Sequence, residues 1–198
     1  GEVYSECSPN EKVALEVGIG ASVRGARAIV SMKHVGLNVA CDPLFTASYT
    51  GVNGGLVIAV ADDPSVFSSQ NEQDTHLTAV SAKVPVLEPS DSAEARDFTK
   101  AAFELSEKYD TPVILRLTTR VAHSQSLVEL QERTEVPVRA YERNIQKYVM
   151  MPANARVKHV FVEERMQKMS EDADALPLNR IEEGSADLGI ICSGGGYQ

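Results

Sequence analysis

Three short stretches of this 198-residue chain carry side chains that could do chemistry. Glu11 opens the stretch "EKVALEVGIGASVRG" directly after Pro9 and Asn10. An acid in the first turn of a helix matches the helix macrodipole, which is sufficient reason for an ordinary surface carboxylate. The same position also suits a carboxyl that shares a proton with a ligand nitrogen. The second stretch, "KHVGLN" (33–38), sets His34 and Asn38 around Gly36, a residue that lets backbone approach a ligand closely. Its plain alternative is a strand-to-helix turn in which Asn38 caps the next helix. The third, "DDPSVFSSQNEQDTH" (62–76), gathers Asp62, Asp63, Ser69, Gln70 and Asn71 into one polar run. Such side chains also close turns on their own backbone, so an inert structured loop is the competing reading. His34, His76 and the Asp62–Asp63 pair lack metal-ligand spacing, and no metal site is expected from them.

The elements around these stretches decide whether they can meet. Asn10 is a suitable N-cap for a helix whose Val13, Val17 and Ala21 recur at helical spacing. Gly18 and Gly20 lower its propensity, which points to another element packed closely on it. "ARAIVSM" (26–32) reads as a buried strand, and "LNVACDPLFTASYTG" as a helix ending at Gly51, with Pro43 near its first turn. "GGLVIAVA" (54–61) is a continuous apolar run of the kind buried on both faces of a parallel sheet. A weak helix and the short strand "VPVLEP" follow the polar loop. Asp91 then caps a strong helix over 91–109, with Glu94 completing a capping box and Ala95, Phe98, Ala102 and Leu105 on one face. "TPVILRLT" (111–118) is another buried strand. This alternation predicts an α/β fold, a parallel sheet with helices on both faces. In such sheets ligands bind beyond the carboxyl ends of the strands. "KHVGLN", the 62–76 loop and "Thr118-Thr119-Arg120" all follow strands at that edge, so three loops should converge on one rim.

After Thr119 the character changes. Residues 120–185 read as an arm, with scattered charge and Pro137 and Pro152 before a charged amphipathic helix from Ala155. The tail "ADLGIICSGGGYQ" (186–198) reads as a strand and a Gly-rich turn that open a further domain, as in a piece of a longer polypeptide. Gly194–Gly196 alone is a weak phosphate-turn signal. A formal charge of −9 and a pI near 5.0 argue against nucleic acid or an anionic membrane as partner. No apolar run is long enough to span a bilayer. Cys7, Cys41 and Cys192 fit neither a disulfide framework nor a metal motif, so a reduced, cytoplasmic setting is expected. There is no nucleophile elbow, Walker loop or dinucleotide fingerprint.

Taken together, "NEKVALEVGIGASVRGARAIVSMKHVGLNVACDPL", "GGLVIAVADDPSVFSSQNEQDT", "VPVLEPSD" and "TPVILRLTTRVAHS" resemble the pyrimidine-binding domain of the thiamine-diphosphate-dependent 2-oxoacid:ferredoxin oxidoreductases. Within that family they are most similar to the branch acting on aryl pyruvates such as indolepyruvate. The resemblance implies three segments: a pyrimidine-binding domain over 1–124 without its first strand, an arm over 125–185, and the start of a following domain over 186–198. It also implies that Glu11 protonates the aminopyrimidine and so activates thiamine diphosphate, which carries the carbanion chemistry. His34, Gly36 and Asn38 would lie on the cofactor side, and Asp62, Asp63, Ser69, Gln70 and Asn71 on the substrate side. An acid at Asp62, where pyruvate-type members tend to carry arginine, suits a bulkier aryl pyruvate. Coenzyme A would take the acyl group, and iron–sulfur clusters would pass the electrons to ferredoxin. The Gly-Asp-Gly motif for diphosphate and Mg²⁺ and the cysteine-rich cluster segment are not in this sequence. Those parts, a partner subunit and homo-association are expectations for the whole protein, and the 198 residues alone are expected to be inactive. The rivals are a member acting on branched-chain 2-oxoacids, 2-oxoglutarate or pyruvate, and a non-catalytic α/β interaction module.

Overall fold

The structure is a computed structural model, and it describes residues 3–185 and 187–197. Helix α1 (Glu11–Val23) leads into strand β1 (Ala28–Lys33), followed by α2 (His34–Val39), α3 (Cys41–Thr50) and β2 (Leu56–Asp62). Then come α4 (Thr75–Ala82), β3 (Val86–Leu87), α5 (Ser92–Tyr109), β4 (Val113–Thr118) and α6 (Thr119–His123). The four strands are all parallel and lie in the order β1-β2-β4-β3. Two apolar clusters cover the two faces, as the alternation of strand side chains demands. Leu56, Ile58 and Val60 of β2 pack with Leu15, Leu37 and Leu44 of α1, α2 and α3. Val57 turns the other way, to Ala102, Leu105 and Tyr109 of α5. The expected α/β sheet with helices on both faces is what forms.

Caps and close approaches show why these segments fold as they do. The Asn10 side chain accepts from Val13 N at 3.0 Å, so it is the N-cap of α1. A Cβ on Gly18 would overlap Val30 and lie 3.4 Å from Leu56 Cδ1, so α1 meets the sheet there. Gly20 has nothing within 4 Å, and the close-packing expectation fails at that position. The buried side of α1 is Leu15, Gly18 and Ser22 rather than the Val13–Val17–Ala21 face, and Val17 is 45% exposed. Strand β1 is an edge strand, half-buried rather than buried, with Ile29 54% exposed. The helix expected across 37–51 is two helices broken at Ala40, and it does end at Gly51 (φ 71°), with Pro43 in the first turn of α3. At α5, Asp91 accepts from Glu94 N at 2.8 Å, and Glu94 accepts from Ser90 N at 2.8 Å.

Residues 124–144 run without regular structure, then α7 (Ile145–Tyr148) and α8 (Pro152–Ala173) follow. This arm grips the amino edge of the sheet. Arg165 of α8, 5% exposed, donates to the carbonyls of Ser48 (2.9 Å), Lys83 (3.4 Å) and Asp110 (2.9 Å). These lie at the carboxyl ends of α3, α4 and α5, where a cation offsets the negative end of the macrodipole. Burial nevertheless lowers the Arg165 pKa, to about 10. The strand expected over the tail does not form at 187–193, where Ile190 and Ile191 are exposed rather than packed on the sheet. Residue 186, where that strand was expected to begin, lies outside the described residues. The Gly194–Gly196 turn is a short 3-10 helix. Among the described residues no helix is long and apolar enough to cross a membrane.

Candidate functional site

The carboxyl edge of the sheet carries all three predicted stretches, but it divides into two unlike halves. The first half is built on β2, β4 and β3. Asp62 ends β2 and is 2% exposed. Its carboxylate accepts from Thr75 N (3.2 Å), from Thr75 Oγ1, and from Arg116 Nε (2.6 Å). Arg116 also pairs with Glu88 just after β3, and Glu88 in turn bonds His76 Nε2 and Ser193 Oγ, both at 3.1 Å. Burial opposes the Arg116 charge, yet its bond to Asp62 and the charges of Glu88 and Asp62 carry the guanidinium pKa above its ordinary value.

Asp63 is likewise turned inward, 4% exposed. It accepts from Ser69 Oγ (2.5 Å), Ser68 N (2.8 Å), Thr119 Oγ1 (2.9 Å) and Phe67 N (3.1 Å). The Ser69 and Ser68 bonds, with smaller help from Thr119 and Phe67, hold its pKa far below the usual carboxylate range despite burial. These bonds tie down a loop in which Ser65 (φ 71°) and Val66 (φ 56°) are both left-handed. That conformation is costly for a β-branched residue and persists only where the surroundings fix it. Lys33 Nζ adds a bond to Ser68 O at 3.0 Å, joining the loop to the end of β1.

Of the five residues assigned to the substrate side, therefore, Asp62, Asp63 and Ser69 are engaged in holding the rim together. Asn71 accepts from Gln73 Nε2 at 3.0 Å, and Gln70 is exposed with no partner among the described residues. The loop also presents Phe67, 76% exposed, which the polar reading of the run passed over. An aromatic amid hydroxyls and amides was the available signal.

The second half lies at the end of β1, and here the fold leaves polar groups without partners. "KHVGLN" is not a loose turn: Lys33 is the N-cap residue and His34–Val39 is helix α2. His34 is 2% exposed, and neither ring nitrogen has a hydrogen-bond partner among the described residues. Gly36 is buried against Glu11: a Cβ there would overlap Glu11 Cγ and lie 3.0 Å from Cδ and 3.1 Å from Oε1. Glycine at 36 thus makes the room in which the Glu11 carboxyl lies. Glu11 itself is half-buried and has no ion pair or hydrogen bond among the described residues. Asn38 is exposed and does not cap α3, whose N-cap is Ala40. The structure therefore brings Glu11 and Gly36 together, buries His34 separately in the first turn of α2, and leaves Asn38 exposed.

Two grooves elsewhere, one of about 480 Å³ on α8 and one of about 300 Å³ between α1 and α3, include none of the predicted site residues. The rim is the better site on physical grounds, because ligands of parallel α/β sheets bind beyond the carboxyl ends of the strands. Among the described residues no cluster of His, Cys, Asp and Glu could hold a metal ion.

The fold resembles that of 2-oxoglutarate:ferredoxin oxidoreductase from Magnetococcus marinus, solved with 2-oxoglutarate, coenzyme A and succinyl-CoA bound. The TM-score is 0.59 at 16% identity, over 83% of this chain and 36% of that one. The family described as pyruvate flavodoxin/ferredoxin oxidoreductase, thiamine-diphosphate-binding, matches residues 6–176, and the chain belongs to it. Among curated proteins, indolepyruvate oxidoreductase subunit IorA of Methanothermobacter marburgensis is 50% identical over 98% of this chain. The IorA subunit of Archaeoglobus fulgidus is 46% identical over 99% of it. The chain spans 32% of the length of each of these two relatives.

Proposed function

We propose that this chain is the pyrimidine-binding part of a thiamine-diphosphate-dependent oxidoreductase of aryl pyruvates, with Glu11 as its activating acid. The observation that carries the reading is the Glu11 carboxyl, set against Gly36 at the sheet's carboxyl edge without a partner among the described residues. The residues fit the cofactor's aminopyrimidine: a free carboxyl to share a proton with a ring nitrogen, and a buried imidazole with both nitrogens open. Gly36 fixes where that carboxyl can stand, and α1 presents it at the end of the helix that favours negative charge. When bound, thiamine diphosphate supplies the carbanion that decarboxylates a 2-oxoacid. Gln70, Asn71 and Phe67 stand on the loop that would face the substrate, and an exposed aromatic there supports an aryl side chain. The names of the relatives support indolepyruvate as the substrate.

Residues 1–124 make the pyrimidine domain in this reading, 125–185 the arm, and 186–198 lead towards the next domain. Mg²⁺, iron–sulfur clusters, coenzyme A and ferredoxin would be engaged by the rest of the polypeptide and a partner subunit, in a cytoplasmic setting where the thiols stay reduced. The test is Glu11→Gln in the full-length subunit with its partner, assayed for indolepyruvate-dependent ferredoxin reduction. Loss of proton transfer should lower turnover about 100-fold or more. Unchanged turnover would favour a non-catalytic module, and a preference for aliphatic over aryl 2-oxoacids would reject the substrate.

A further inference from the structure

We propose that Lys158, on the arm, is an acylation site whose side-chain amine takes an acyl group from a coenzyme A thioester. Only the source of that thioester, the enzyme's own product, rests on the function proposed above. Among the described residues Lys158 is the one lysine with neither a hydrogen bond nor an ion pair. Five of the others pair with carboxylates, and Lys33 and Lys100 bond oxygen atoms of Ser68 and Gln131. Lys158 is half-buried as well, so water replaces the missing partner only in part.

The surroundings explain this. Lys158, Phe161 and Arg165 follow one another at spacings of three and four on α8 and share a face. Lys158 Nζ stands 5.2 Å from the centroid of the Phe161 ring, and the Arg165 guanidinium stands 5.9 Å from it. The acids on the neighbouring elements are already engaged. Asp110 Oδ1 accepts from Lys147 Nζ and from Val52 N, both at 2.8 Å. Glu163 pairs with Lys83 (2.9 Å) and His159 (3.4 Å). Burial lowers the Lys158 pKa; the Asp110 carboxylate opposes this, and the charges of Lys147 and Arg165 reinforce it. A desolvated amine beside other cations holds more of its neutral, nucleophilic form than a solvated lysine does at the same pH. Phe161, with Val157 and Val160, also lines the open groove of about 480 Å³ on α8. An apolar acyl group therefore has a surface to lie on at the ring that the amine touches. In the reaction the nitrogen lone pair attacks the thioester carbonyl carbon, the N–C bond forms and the C–S bond breaks. Coenzyme A leaves as the thiolate and takes up the proton that the nitrogen loses, so no further reactant is needed.

The test is to incubate the full-length subunit and its partner with acetyl-CoA and follow each lysine by peptide mass spectrometry. Lys158 should be acetylated about 3-fold or more faster than Lys168, although Lys168, on the same helix, has a side chain 64% exposed. The lead should shrink as the pH rises, because both amines then lose their protons. In Lys147→Gln, which removes a neighbouring cation, acetylation of Lys158 should slow while that of Lys168 holds. Acetylation of Lys158 no faster than that of Lys168 in wild type would overturn the proposal. So would a lead that neither the pH nor Lys147→Gln changes. With indolepyruvate and coenzyme A supplied instead, the aryl acyl group should appear on Lys158. If wild type forms no acyl-CoA from any 2-oxoacid, the proposed function fails, and the acetyl-CoA result still decides for or against Lys158.

Discussion

The two halves of the carboxyl edge contain similar side chains in opposite states. Around β2, β3 and β4, Arg116 bonds Asp62 and Glu88, while Asp63 accepts from the hydroxyls of Ser69 and Thr119 and from the N–H groups of Phe67 and Ser68. At the end of β1, the Glu11 carboxyl beside Gly36 and the buried His34 ring have no hydrogen-bond partner among the described residues. Density of charged residues is therefore a poor guide to chemistry here. The acid-rich half is architecture that fixes the loops, and in the proposed reading the sparser half is where the ligand binds. The comparison also separates two kinds of mutational outcome: changes in the first half should cost stability, and changes in the second should cost function.

The largest effect that tests this division lies at Arg116. Its side chain is 11% exposed and its partners Asp62 and Glu88 are 1% and 11% exposed. Arg116→Met leaves two buried carboxylates without their cation. Breaking a buried pair on one side typically costs about 3–5 kcal/mol. Urea unfolding should show a loss of that size. A near-neutral result would mean that the acid-rich half is not the structural half. Arg116→Met combined with Asp62→Leu should recover part of the loss, because it removes one uncompensated charge as well.

Next in size is Gly36→Ala, on the other side of the division. Alanine raises helix propensity by about 1 kcal/mol, so stability should hardly fall. The added Cβ, however, overlaps Glu11 Cγ and forces the carboxyl to shift. A displacement of that order should lower turnover of the full-length enzyme about 10-fold, with little change in melting temperature. In a Glu11→Gln background the same change should have almost no further effect, because the group it displaces no longer transfers a proton. Equal effects in both backgrounds would show that Gly36 acts on something other than Glu11.

What could be read from the sequence follows the range of the interactions. The Asn10 cap, the Asp91 cap and the two-sided burial of β2 depend on residues close in the chain, and they form as expected. The family pattern singled out Glu11, which the structure sets against Gly36, and the strand ends pointed to the rim. "KHVGLN" misled because glycine and asparagine are poor helix formers, whereas here Gly36 is required by Glu11, 25 positions away. The engagement of Asp62 was equally hidden, since it depends on Arg116 from a different strand, 54 positions on. A run of acids and hydroxyls looks the same whether those groups meet a ligand or one another. Only the register of β2 against β4 distinguishes the two cases.

The smallest expected effect concerns Asp63, and it separates a rigid rim loop from a mobile one. The Asp63 carboxylate is held far below its ordinary pKa of 3.8, chiefly by the Ser69 hydroxyl and Ser68 N–H. A depressed folded-state pKa means that the ionised group favours the folded loop. That contribution is complete above pH 3.8 and declines as the pH falls below it towards the folded-state value. Asp63→Asn removes it at every pH, so wild type should exceed the variant in stability by a constant margin at neutral pH. The margin should shrink only below pH 3.8. Amide exchange at Phe67 and Ser68, whose N–H groups donate to Asp63, reads the loop directly. Both amides should exchange faster in Asp63→Asn, while those of α2 should not change. Equal acceleration in α2 would mean that the two halves of the rim open together, and the division between a fixed half and a ligand-ready half would not hold.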